Sequence, residues 1–215
     1  YNLWFVAAAA SDAALQWTLA CIEHETGQPV LRLPLLEEFH IDLGFDLVDH
    51  SVPRERQQGP VPPLNETDRR LAARVAAGMP LQPRPFAGFE LPEEEVIGTL
   101  RRWLDTGVVR RIGAVVRHRR LGYEANAMVV WDVPDDDAGD AGRRLAADPV
   151  VTLCYRRARA LPEWPYNLYC MVHGRERASV TQAIERLCAQ HGLGRHPRSV
   201  LFSQRSFSQR AARYG

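Results

Sequence analysis

The chain has 215 residues, 46% of them hydrophobic and 25% charged, a composition that fits one or two soluble globular domains. No run approaches the roughly 18 apolar residues of a membrane-spanning helix, and Cys21, Cys154, Cys170 and Cys188 form no C-x-x-C pair, which argues against a zinc framework or a disulfide scaffold and for reduced thiols in a cytoplasmic protein. The formal net charge of +1 hides an asymmetry: residues 1–50 hold one Arg against eight acids (−7), and residues 151–215 hold eleven Arg against three Glu (+8).

The chain opens on half of an internal repeat. Tyr1-Asn2-Leu3-Trp4 matches Tyr166-Asn167-Leu168-Tyr169, and an offset of 165 then holds without gaps to Gly27 and Gly192. Each copy reads as an apolar strand followed by an amphipathic helix. Leu15, Leu19 and Ile22 in the first helix correspond to Val180, Ile184 and Leu187 in the second, at helical spacing. Gly27 and Gly192 stand where a helix-terminating glycine belongs. Closing strands are expected near residues 30–36 and 199–207.

Residues 51–64 form a Pro-, Gln- and Arg-rich linker without apolar periodicity. Asn65 then caps a helix with Asp68 in its first turn, followed by Leu71 and Val75. After a Pro-rich turn, Pro92 opens a helix over 93–105 with Val96, Ile97, Leu100 and Leu104 on one face, and Gly107 ends it. Residues 108–116 complete the pattern of a winged helix-turn-helix over 65–117. A DNA-reading role fits poorly. The candidate recognition helix begins Glu93-Glu94-Glu95, and carboxylates at that end are repelled by phosphates.

The second copy is complete. A Val-, Met- and Trp-rich strand over 126–133, a helix over 137–147 and a strand over 150–155 precede the Tyr-Asn-Leu strand. The order strand, helix, strand, strand, helix, strand is that of a ferredoxin-like split βαβ domain over 118–215. The fold class is thus α+β: a winged helix-turn-helix plus a ferredoxin-like βαββαβ ligand domain, preceded by the C-terminal half of a second such domain over 1–50. The opening half of that first unit is expected either on another chain or on the same polypeptide before cleavage, because a half sheet leaves an unpaired edge. Two ligand domains of this order are expected to pair as a dimer.

Two stretches concentrate side chains suited to an anionic, flat ligand. In the first, Arg110, Arg111, Arg117, Arg119 and Arg120 surround His118 and run into Leu121-Gly122-Tyr123. The second runs from Cys154-Tyr155-Arg156-Arg157 through Trp164 to His173-Gly174. Alternation along strands places Leu153, Tyr155 and Arg157 on one face, and Tyr169, Met171 and His173 on one face. Every basic side chain is an arginine fork suited to bidentate carboxylate binding. The same patterns also suit a solvated basic loop and a packed sheet face.

These residues carry a family resemblance. Arg111-Ile112-Gly113-Ala114, Leu121-Gly122-Tyr123 with Ala125-Asn126, and Trp164-Pro165-Tyr166-Asn167-Leu168 through His173-Gly174 resemble the siroheme decarboxylases of haem d1 and alternative haem synthesis, relatives of Lrp/AsnC regulators. Tyr1-Asn2-Leu3-Trp4 and His40-Ile41-Asp42-Leu43-Gly44-Phe45 resemble the NirD-type unit of that family, and the later part resembles its NirL-type unit. The resemblance implies siroheme as substrate, with CO2 lost from its C12 and C18 acetates to give 12,18-didecarboxysiroheme. It implies no cofactor beyond the iron carried by the substrate and no protein-held metal; the acidic start of the candidate recognition helix speaks against nucleic acid as a partner, and the lack of a long apolar run against membrane. In that reading His118 or His173 supplies a proton. Arg111, Arg117, Arg119, Arg156 and Arg157 clamp carboxylates, and Tyr123, Tyr155 and Trp164 line or orient the pocket. Ala8 stands where the second copy has His173, so the two units are not equivalent. The alternative is an Lrp/AsnC-type DNA-binding regulator with a small-molecule or tetrapyrrole effector.

Overall fold

The computed structural model describes residues 3–41, 62–109, 112, 122–205 and 207. They divide into two compact units, one of 3–41 with 122–205 and 207, the other of 62–109 with 112. The first-copy segment, expected as half of a second ligand domain over 1–50, groups with the ligand domain, through a strand that it adds to that domain's sheet.

The larger unit contains α1 (Asp12–Thr26), β1 (Leu35–Ile41), β2 (Ala125–Trp131), α4 (Asp135–Ala146), β3 (Val151–Arg157), β4 (Leu168–Gly174), α5 (Arg177–Gln190) and β5 (Arg198–Phe202). The smaller unit holds α2 (Glu66–Ala76) and α3 (Glu93–Asp105). The second copy folds as the expected βαββαβ unit, with its strands in the order β3-β4-β2-β5 and every neighbouring pair antiparallel. The sheet gains a fifth strand at one edge, where β1 of the first copy pairs antiparallel with β3. An exposed strand edge is a template for such pairing.

Alternation along the strands sorts the sheet into two faces. Ala127, Val129, Trp131, Cys154, Leu168, Cys170 and Val172 are buried with Leu145 of α4 and with Val180, Ile184 and Leu187 of α5. Burying such a Val or Leu contributes about 1.5–3 kcal/mol relative to exposure. Phe39 of β1 packs against this same core. Its ring lies so close to α4 that a Cβ on Gly142 would stand 2.1 Å from it. Helix α4 starts behind Pro134, with Asp135, Asp136 and Asp137 in its first turn, where carboxylates favour the positive end of the helix dipole.

The first copy departs from expectation. Helix α1 forms where predicted, capped by Ser11 and ended by Gly27 in the left-handed region at φ 63°. Residues 3–9, however, form no strand. Their counterpart β4 is hydrogen-bonded on both sides, by β2 and β3; among the described residues nothing plays that part for 3–9. The closing strand lies at Leu35–Ile41, later than the expected 30–36, because Leu31 and Leu33 are used in packing of another kind.

In the smaller unit, Asn65 caps α2 as the sequence predicts, and Asp68 returns the hydrogen bond to complete a reciprocal capping box. In α3 the buried residues are Val96, Leu100 and Trp103, while Ile97 and Leu104 are half-buried, so the face turns toward Trp103. Val108 and Val109 pack on this cluster without strand structure. Most of the expected wing lies outside the described residues. Among the described residues no helix is long and apolar enough to cross a membrane.

Candidate functional site

Helices α4 and α5 cover one face of the sheet. The other carries Tyr155, Arg157 and His173 of the site residues expected from the second copy. The β2·β4 register sets Asn126 opposite His173, Met128 opposite Met171, and Val130 opposite Tyr169. The β3·β4 register adds Tyr155 opposite Tyr169 and Leu153 opposite Met171. Each strand's set alternates as predicted, and the register brings the two together, so that Tyr155, Arg157, Tyr169, Met171 and His173 share one surface.

This surface has two differently built ends. At the aromatic end, Tyr155 stacks on Tyr169 with centroids 5.3 Å apart. The Arg157 guanidinium lies 4.8 Å from the Tyr155 ring centroid, a cation–π contact. Its Nη1 also donates to the Leu33 carbonyl at 2.8 Å. Trp164 is buried, donates from Nε1 to the Tyr169 hydroxyl at 2.7 Å, and meets Trp4 and Tyr166 edge-on. Burial pushes the Tyr155 phenol above its ordinary pKa, against the opposing pull of Arg157. Burial likewise pushes Tyr169 up to about 12, against the Trp164 hydrogen bond. Both phenols stay protonated near neutrality and are poor proton donors there.

At the other end, His173 is half-buried. Its Nδ1 stands 2.5 Å from Oδ1 of Asn126. Tyr123 lies just before β2 with the Arg175 guanidinium 5.5 Å from its ring centroid. The imidazole brings to this surface two ring nitrogens, each able to donate or accept a hydrogen bond.

Arg156 falls elsewhere. It alternates with Tyr155 and Arg157, points to the helix-covered side, and pairs with Asp135 at 2.9 Å. Arg159 joins it there, bonding Asp132, Asp135 and the carbonyls of Val133 and Pro165. Asn167 completes the cluster. Its amide accepts from Val133 N and donates to the Val133 carbonyl and to Asp135. The Asn of the Tyr-Asn-Leu motif is thus a structural pin between β4 and the start of α4. His118, Arg111, Arg117 and Arg119 lie outside the described residues. Among the described residues, no group of three or more His, Cys, Asp or Glu side chains is placed to hold a metal ion.

Asn126 and Arg159 were not among the site residues expected from the sequence. Asn126 had a legible signal: a polar amide inside an apolar strand is buried only with partners. Arg159 had none, because its acidic partners lie more than twenty positions away.

The fold and this surface define the class: residues 120–208 match the AsnC-like ligand binding domain family. Known proteins narrow it. The siroheme decarboxylase NirL subunit of Stutzerimonas stutzeri is 47% identical over 70% of this chain and 92% of its own length. The NirDL subunit of Paracoccus denitrificans is 39% identical over 99% of this chain and 67% of its own length. The crystal structure of a siroheme decarboxylase NirDL superposes with a TM-score of 0.56 at 27% identity, covering 93% of this chain and 58% of that one. The chain belongs to the siroheme decarboxylase family.

Proposed function

We propose that this chain acts as a siroheme decarboxylase, a carboxy-lyase removing CO2 from the C12 and C18 acetates of siroheme to give 12,18-didecarboxysiroheme in haem d1 biosynthesis. The observation that carries the reading is the sheet face turned away from α4 and α5, where His173 shares one surface with aromatic, methionine and arginine side chains. Siroheme is a flat macrocycle rimmed with carboxylates. Aromatic and Met surfaces suit the ring, and arginine forks suit the carboxylates that must remain.

At each reacting acetate the bond between CH2 and carboxylate breaks. CO2 leaves, the electron pair stays on the exocyclic carbon, and a proton closes the valence to give a methyl group. His173 or His118 supplies that proton and recovers it from water. Arg111, Arg117 and Arg119 clamp carboxylates, and Arg157 contributes from the aromatic end. Tyr123, Tyr155 and Trp164 orient the ring. Arg156 supports the site through Asp135. No cofactor beyond the substrate's iron is required. The two-helix unit reads as a winged helix serving as architecture. A second ligand unit pairs with this one, in keeping with relatives named as subunits, and the protein works in the cytoplasm.

Anaerobic incubation of the full chain with siroheme, followed by mass spectrometry of the tetrapyrrole, tests the reading. Loss of two CO2 masses is expected. Siroheme recovered unchanged overturns it.

A further inference from the structure

Asn126 is 3% exposed, one place inside the end of a strand otherwise made of Ala, Met, Val and Trp. A buried amide is retained where its hydrogen bonds are specific.

Its surroundings fix which way the amide points. Nδ2 faces the Tyr123 carbonyl at 3.5 Å, and Oδ1 faces His173 Nδ1 at 2.5 Å. The opposite orientation would set the amide oxygen against a carbonyl oxygen. The backbone is held as well: the Asn126 carbonyl accepts from Ser203 N at 2.8 Å, and the residue registers directly across from His173.

An amide oxygen only accepts hydrogen bonds, so the imidazole nitrogen facing it carries hydrogen. We propose that Asn126 is a positioning residue that holds His173 as its Nδ1–H tautomer, making Nε2 the nitrogen through which the proton passes. The proposal rests on the preceding reading with His173, of its two candidate histidines, as the proton donor.

Both states of the ring satisfy Asn126. In the imidazolium, Nδ1–H bonds to Oδ1 and Nε2–H holds the transferable proton. When the C–COO⁻ bond breaks and CO2 leaves, that proton forms the new C–H bond. The ring is then neutral, still Nδ1–H, with a lone pair on Nε2 that water reprotonates. The Nδ1 contact is kept throughout, so ring orientation is not rebuilt at each of the two turnovers. An unconstrained neutral histidine prefers the other tautomer, which would leave Nδ1 and Oδ1 as two facing acceptors.

The test uses the full chain labelled with ¹⁵N-histidine. Long-range proton–nitrogen correlation reads the tautomer above the ring's titration, and loss of signal in His173→Gln assigns it. Wild-type protein is expected to show Nδ1–H; an Nε2–H signal overturns the proposal without any Asn126 variant. Asn126→Leu keeps approximate volume and removes the acceptor. It is expected to change the tautomer and lower kcat by roughly tenfold or more, with KM within about threefold, a fraction of what a general acid contributes. Asn126→Asp restores an acceptor and is expected to recover the Nδ1–H signal and most of kcat. An Asn126→Leu protein that keeps both tautomer and kcat sinks the proposal. Full turnover by His173→Gln removes the donor reading instead, and the spectrum still decides the tautomer.

Discussion

Helices α1 and α5 are two copies of one pattern, and the chain treats them differently. Fifteen residues form α1 and fourteen form α5, both starting at the same point of the repeat. In α5, Val180, Ala183, Ile184, Leu187 and Cys188 are buried against β4 and β2. In α1 only Leu19 is buried, and Trp17 is 71% exposed. An amphipathic stripe is a capacity for burial; the sheet beneath α5 realises it. The closing strands differ in the same sense. β5 pairs with β2 of its own copy, whereas β1 pairs with β3 of the other.

Truncation at equivalent positions measures this difference most directly. Leu19 and Ile184 are 165 residues apart and occupy the same place in the repeat. Ile184 is 1% exposed within the main core, so Ile184→Ala is expected to cost about 2–5 kcal/mol. Leu19→Ala is expected to cost less than about half as much, since fewer neighbours close around it. Chemical denaturation of both variants reads the two values. Equal losses would mean that α1 is as fully packed as α5.

A smaller effect probes the strand exchange. A methyl on Gly142 would stand 2.1 Å from Phe39 Cε2, so Gly142→Ala must push the β1 ring off α4. Overpacking of this kind costs roughly 1–3 kcal/mol. Because the obstacle is one side chain from the other copy, Phe39→Ala should absorb much of the penalty in the double variant, a non-additivity of about 0.5–3 kcal/mol. Additive losses would show that β1 docks without that contact.

The comparison also explains what the sequence could and could not reveal. The βαββαβ order was legible because helix and strand periods alternate plainly from Asn126 to Phe202. The Asn65 cap and the Gly27 helix end were legible because they are local. Alternation alone made two sets legible, Tyr155 with Arg157 on one strand and Tyr169, Met171 and His173 on the other; that they share one face depends on the β3·β4 register. What escaped was non-local. Nothing in residues 35–41 shows that they will pair with β3, and nothing in residues 3–9 shows that, among the described residues, no neighbour holds them as a strand. Arg156 and Arg157 look alike in sequence. One residue of register sends the first to Asp135 on the helix side and the second onto Tyr155, a consequence of the two-residue period.

The smallest effect concerns the loop that anchors the second copy's Tyr-Asn-Leu motif. Hydrogen bonds from Arg159, opposed by partial burial and joined by Asn167 and Arg156, hold the Asp135 carboxyl below the usual carboxylate range. The folded state therefore binds this proton more weakly than the unfolded chain, whose Asp titrates at about 3.9. The contribution to stability is complete above that value and drains away as pH falls through it toward the lower folded pKa. Asp135 is well exposed, so solvent screening keeps the contribution small. Asp135→Asn should therefore lose a little stability near neutrality and lose less than wild type on acidification. The two unfolding midpoints are expected to converge as pH drops through that window. A constant gap between them at every pH would show that Arg156, Arg159 and Asn167 hold the motif in place without drawing on the Asp135 charge.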